Sequence, residues 1–235
     1  MKILAKPIYR LLPALLLFFS SIAYAGNNDI YITQTGAGLT MTIDQVGATN
    51  TIGTTGTRAI LSGASMVFDA KQTGSTNSVI ASILQGASSS WTYHATGDSN
   101  VATFAVGASG AATSTDFDYS QTGGNSNVLL WTQGAASAAT AGNADFVIQG
   151  GTNNINTTCE VIGCIQNWNI DGDGNDIDVT QTGNADKSIT ATLTGSTNNI
   201  DIDQTSNASA TTDVLNIVST TSNGTIDVDQ CSSGC

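Results

Sequence analysis

One phrase recurs along the chain and constrains its fold more than any other feature: Asn, then apolar residues at alternate positions, then Gln-x-Gly. Its clearest copies are Asn28-Asp-Ile30-Tyr-Ile32-Thr-Gln34-Thr-Gly36, Asn175-Asp-Ile177-Asp-Val179-Thr-Gln181-Thr-Gly183 and Asn198-Asn-Ile200-Asp-Ile202-Asp-Gln204. Looser copies are centred on Met41 to Gln45, Phe68 to Gln72, Phe117 to Gln121, Leu129 to Gln133 and Ile226 to Gln230. In the Asn175 copy, Asn175, Ile177, Val179 and Gln181 share one parity, while Asp176, Asp178, Thr180 and Thr182 share the other. That is the alternation of a strand with one inner and one outer face. Gly183 then supplies the permissive backbone of a turn.

An apolar pair flanked by amides is too little to hold one strand or hairpin together. Stacked copies are different. Equivalent Ile and Val residues then form a narrow dry core, and inward Asn and Gln satisfy one another's donors and acceptors from layer to layer. Glutamine-equivalent positions fall at 34, 45, 72, 85, 95, 105, 121, 133, 149, 166, 181, 193, 204 and 230, mostly 10 to 17 residues apart. The chain therefore reads as all-β, a β-solenoid of stacked strand-turn-strand repeats of about 15 strand units. A disordered low-complexity chain and a Gly-rich β-sandwich are the rivals. Neither requires the same amide at the same phase in strand after strand. The expected ladder residues are Asn28, Gln34, Gln45, Asn50, Gln72, Asn77, Gln85, Gln121, Gln133, Gln149, Gln181, Asn198, Gln204 and Gln230.

Residues 1–25 stand outside this pattern. Lys2, Lys6 and Arg10 precede an apolar run around Leu15-Leu16-Leu17-Phe18-Phe19, and Ala23-Tyr24-Ala25 gives a small-x-small end. This reads as a secretory signal peptide cut before Gly26, with 26–235 as the repeat solenoid. The apolar run is too short to span a bilayer, so no membrane span is expected after its removal. The remainder keeps only Arg58, Lys71 and Lys187 against 18 acids, a formal charge of −15. That excludes electrostatic nucleic-acid binding as a main function.

Export places the four cysteines in an oxidising compartment. Two local disulfides, Cys159 to Cys164 and Cys231 to Cys235, are the favoured pairing among three connectivities. A metal site is the weaker rival, since His94 is the only histidine and lies far from all four.

The recurrent Gln-x-Gly-x2-Asn phrase, in Gln45-Val-Gly47-Ala-Thr-Asn50, Gln72-Thr-Gly74-Ser-Thr-Asn77 and, with Leu for Gln, Leu193-Thr-Gly195-Ser-Thr-Asn198, resembles the curlin repeat family, whose subunits build amyloid curli fibres on bacterial surfaces. The resemblance runs from Asn27 to about Gln230. It implies a secreted, extracellular or cell-surface fibre subunit, nucleator or adhesin of bacterial origin, acting by edge-to-edge β stacking. Its partners would be further copies, other fibre subunits or matrix contacts. The chain departs from the family pattern in its drifting repeat spacing, in the absence of Gln from about Ser88 to Ala112, and in its four cysteines.

No catalytic or cofactor-binding constellation is present: one His, one Glu, no P-loop, no HExxH. Asp171-Gly-Asp173-Gly-Asn175 begins like a calcium loop but lacks the glycine and the terminal glutamate an EF-hand needs, and reads as a turn. If the strands stack, the outward acids Asp176, Asp178, Asp201, Asp203, Asp227 and Asp229 stand close enough to repel, which divalent cations would relieve. Outward threonine pairs such as Thr40-x-Thr42 or Thr190-x-Thr192 raise an alternative function, a monomeric adhesin or ice-binding module with a flat Thr/Asp face. Trp91, Tyr93, Trp131 and Trp168 raise a carbohydrate-binding surface, although Trp131 shares the inward phase of Asn127 and Gln133.

Overall fold

The computed structural model describes residues 27–85, 87–107, 113–124, 126–134, 140–160, 162–183, 187–206 and 213–232. The leader read at 1–25 and Cys235 lie outside them. The described chain is built of strands and turns, with no helix among the described residues. In chain order the strands are β1 Asn27–Ile30, β2 Thr33–Thr35, β3 Thr40–Val46, β4 Thr49–Ile52, β5 Ala59–Ser62, β6 Val67–Thr73, β7 Thr76–Gln85, β8 Ser90–Thr96, β9 Val101–Val106 and β10 Thr113–Thr122. They continue as β11 Val128–Gln133, β12 Thr140–Gln149, β13 Asn154–Cys159, β14 Ile162–Asp171, β15 Asp176–Gly183, β16 Ser188–Ser196, β17 Asn199–Ser206, β18 Val214–Ser222 and β19 Thr225–Ser232.

Two sheets result. One, here sheet A, runs β1-β4-β7-β9-β11-β13-β15-β17-β19, with β2 and β5 as second segments of its first two layers. Sheet B runs β18-β16-β14-β12-β10-β8-β6-β3. All the pairings are parallel, and each strand pairs with the one a full turn away. The chain is thus a parallel β-solenoid, nine layers deep in sheet A and eight in sheet B. Its 19 described strands outnumber the units counted from the repeats, in part because the first two layers of sheet A are each broken in two. Nine layers in sheet A at about 4.8 Å give a stack about 38 Å long.

Alternation decides which residues fill the space between the sheets. In sheet A, Ile52, Val79, Ala102, Leu129, Ile155, Ile177 and Ile200 form one buried column. In sheet B, Phe68, Trp91, Phe117 and Ala144 form another. The middle of the stack is far more aromatic than an amide core requires. Phe104 of sheet A meets Phe117 of sheet B at 4.8 Å edge to face, Trp131 meets Phe146 at 5.6 Å, and Phe146 stacks on Trp168 at 4.1 Å. Such pairs contribute roughly 0.5–1.5 kcal/mol each beyond the area they bury. Trp91, Tyr93, Trp131 and Trp168 are all inside, so the carbohydrate-binding surface considered for them is overturned. These rings could be placed there because the core positions were already inward by phase.

Candidate functional site

The continuous feature of the interior is an asparagine ladder. Asn28, Asn50, Asn77, Asn100, Asn127, Asn153, Asn175 and Asn198 lie in successive layers at the start of the sheet A strands. Each Nδ2 donates to the Oδ1 of the next residue, at 3.0, 2.8, 2.7, 3.2, 2.7, 2.7 and 3.0 Å along the chain. All but Asn28 are buried. Asparagine suits the position because one side chain both donates and accepts, so every layer satisfies the one beside it. The ladder stops where Gly224 takes the asparagine position, and the Nδ2 of Asn198 has no partner among the described residues.

A local arc aims each asparagine inward. The spare Nδ2 hydrogen of Asn77, Asn100, Asn153 and Asn175 goes to the carbonyl three residues earlier, that of Gly74, Gly97, Gly150 and Gly172, at 2.7 to 3.2 Å. In the later layers the residue just before the asparagine is left-handed, at Ser99, Ser126, Thr152, Gly174 and Thr197. The glycines of this arc also stack. A Cβ on Gly74, Gly97, Gly150, Gly172 or Gly195 would overlap the carbonyl oxygen of the glycine one layer away. The arc is therefore Gly-x-x-Asn, and glycine is needed for close approach as much as for its φ.

Glutamine is less regular than its repeat implied. Gln72 donates to Gln45 at 2.7 Å in sheet B. Gln204 donates to Gln181 at 3.1 Å and Gln230 to Gln204 at 2.7 Å in sheet A. Away from these two ladders the amides stand apart. Gln121 sits between Ala95 and Ile148, Gln133 between Val106 and Cys159, and Gln34 against Leu61. Gln149 is exposed beside Asp171, because Ile148 takes the inward phase; it is not a ladder residue. Gln85 ends β7, and its side chain lies outside the described residues. Tyrosine hydroxyls stand in for the missing glutamines: Tyr93 donates to Gln72 Oε1, and Tyr119 to Gln121 Oε1 at 2.7 Å. Burial pushes both phenols well above their ordinary range, so both remain donors.

The expected ladder omitted four members, Asn100, Asn127, Asn153 and Asn175, although the repeat itself opens on Asn175 and gives Asn127 the inward phase. The signal that finds them is the asparagine three residues after a turn glycine, as in Gly97-Asp-Ser-Asn100 and Gly150-Gly-Thr-Asn153. The Asp171 to Asn175 segment is such an arc, and Asn175 is its inward residue. Asp173 accepts from the Ser196 hydroxyl at 2.7 Å and its amide at 2.6 Å, which lowers the carboxyl below its ordinary value.

Cys159 and Cys164 form a disulfide across the bend from β13 to β14, with both sulfurs buried. Cys231 is also disulfide-bonded, while Cys235 is not described. His94 is exposed on β8. Among the described residues, no three His, Cys, Asp or Glu side chains converge as a metal site.

At both ends the inner columns come to the surface. Ile30, Ile32, Leu39 and Met41 at one end, and Leu215, Ile217 and Val228 at the other, are only partly buried although they continue columns that are closed elsewhere. The strands there, β1 and β3 against β18 and β19, are sheet edges. Fold and interior together define a two-sheet parallel β-solenoid with internal amide ladders. Compared with protein-family models, curated proteins and solved structures, the chain matches none.

Proposed function

We propose that this chain is a secreted bacterial structural protein, a curlin-like subunit or nucleator of an extracellular fibre, whose copies join end to end by β stacking. The observation that carries the reading is the pair of open ends. Among the described residues, each presents unpaired strand edges over a half-covered apolar layer, which is the template on which another parallel strand adds. The two ends also match in sequence. Ile226-Asp-Val228-Asp-Gln230 of β19 repeats the phase of Ile30-Tyr-Ile32-Thr-Gln34, so a second copy stacked on β19 continues its apolar columns and meets the glutamine of Gln230 with that of Gln34. A contact between two different surfaces does not close on itself, and repetition makes a filament.

Thioflavin-T fluorescence with electron microscopy of the purified secreted chain, with and without reductant, tests this. Fibres whose cross-β spacing is about 4.8 Å are expected. A species that stays monodisperse at high concentration would sink the proposal in favour of a monomeric adhesin or ice-binding module.

A further inference from the structure

The outer face of sheet A changes character along the stack. Over its middle layers it carries Val101, Val128 and Leu130, all exposed. Over its last three layers it carries Asp176 and Asp178 on β15, Asp201 and Asp203 on β17, and Asp227 and Asp229 on β19, also exposed. The register places Asp178, Asp201 and Asp227 in one column and Asp203 with Asp229 in the next. Neighbours in a column stand about 4.8 Å apart, inside the screening length of roughly 8 Å at physiological salt.

Elsewhere amides stand against several of the outward acids. In sheet B, Asn143 donates to Asp116 at 3.2 Å and Asn167 to Asp145 at 2.6 Å. In sheet A itself, Asn199 donates to Asp176 at 2.9 Å. One further pair stacks in sheet B, Asp118 over Asp145, and there Asn167 reaches Asp145. The columns of Asp178, Asp201 and Asp227 and of Asp203 and Asp229 run uninterrupted, and no hydrogen bond reaches these five carboxylates among the described residues. The strand packed on their inner side, β13, faces them with Asn154, Asn156 and Thr158, none of them titratable. No cation among the described residues lies on these strands, and the outward groups of sheet B lie across the core.

We propose that these five stacked carboxylates are an acid-operated lock on the last three strands of sheet A. Ionised, they push β15, β17 and β19 apart and leave the C-terminal layers the loosest part of the stack. Protonated, each carboxyl gains a donor beside its acceptor, and the column closes as the asparagine ladder does. The shift of Asp178 agrees: desolvation, then Asp176 and Asp201, raise its carboxyl above the ordinary value. A carboxyl raised in the folded chain binds its proton more tightly folded than unfolded. Its penalty is therefore full above the raised value and is relieved as pH falls toward the unfolded value of about 3.9. Asp118 of sheet B, raised chiefly by desolvation, acts in the same direction from a separate place.

The test uses thermal melts of the single chain at pH 7 and pH 4, with hydrogen exchange corrected for intrinsic rates. The unmodified chain should melt a few degrees (~5 °C) higher at pH 4, with protection gained in β17 and β19. The variant Asp178→Asn/Asp201→Asn/Asp227→Asn should melt at neutral pH as high as the acidified parent and respond little to pH. If that variant misfolds, Asp203→Asn/Asp229→Asn should give a smaller shift of the same sign. Asp69→Asn, on the outer face of sheet B, should leave the response intact. A pH-independent parent melt overturns the proposal. So does a triple variant with the parent's slope, or protection gained around Asp118 and not in β17 and β19. Because every readout is taken on one chain, failure here leaves the fibre reading standing, and failure of that reading leaves the lock standing.

Discussion

Gly97 carries two constraints at once. Its φ of +140° lies where side chains are strained, and a Cβ there would overlap the Gly74 carbonyl oxygen. Neither neighbour can yield, because Gly74 is itself packed in the same way on Gly47. Gly97→Ala should therefore cost about 3 kcal/mol or more, the range of changes that force backbone apart. Gly56, with open space around its Cα and no special φ, is the matched control. Gly56→Ala should fall within about 0.5 kcal/mol of the parent. Urea denaturation of the two variants separates close approach from a general loss of glycine. The role of such glycines as turn formers was legible in the sequence. Their stacking was not, because it depends on which glycine lies one turn away, and the spacing between turns varies from 22 to 27 residues.

At the scale of the element, the asparagine ladder holds the strand starts in register while glutamine does so only near the two ends. Asn127 accepts from both the amide and the Nδ2 of Asn100 and donates to Asn153. Asn127→Ala leaves donors and an acceptor buried on both sides. The expected loss is roughly 3 kcal/mol, read as a fall in denaturation midpoint, with exchange accelerated first at Asn100 and Asn154. Reducing Cys159 to Cys164 opens a short loop and should cost about 2 kcal/mol, visible as a lower melting temperature in reductant.

The alternation of strands and the existence of ladders follow from parity alone, and both could be read before the structure. Which amides meet could not. Parity places Gln121 and Gln133 inward, but only register shows that their neighbours are Ala95, Ile148, Val106 and Cys159. Gln149 failed for a related reason. β12 keeps Ile148 in the inward phase, and the Gln-x-Gly pattern was allowed to override alternation. The aromatics were misjudged because they cluster in the middle layers, where the inward glutamines do not stack on one another. There a ring fills the width of the core and a phenol supplies the missing donor.

For the whole molecule, the two sheets close over a core that is amide at its rim and aromatic in its middle layers. Stability is then a sum over neighbouring layers, strongest where Phe104, Phe117, Trp131, Phe146 and Trp168 interlock and weakest at the ends. End-to-end growth would add to the weakest layers, covering Ile226 and Val228 on one copy and Ile30 and Ile32 on the next. It would thus stabilise the parts that are loosest in the single chain.

The parallel register has a mechanical meaning as well. Interstrand hydrogen bonds point along the long axis, and each layer holds only its neighbours. Tension between the two ends therefore strips one turn at a time instead of shearing the whole stack. Each turn released frees 22 to 27 residues, about 80 Å of slack chain, while the aromatic middle is the last to give way. Such a chain behaves under load as an extensible tether that lengthens stepwise and can rewind on the layers still closed.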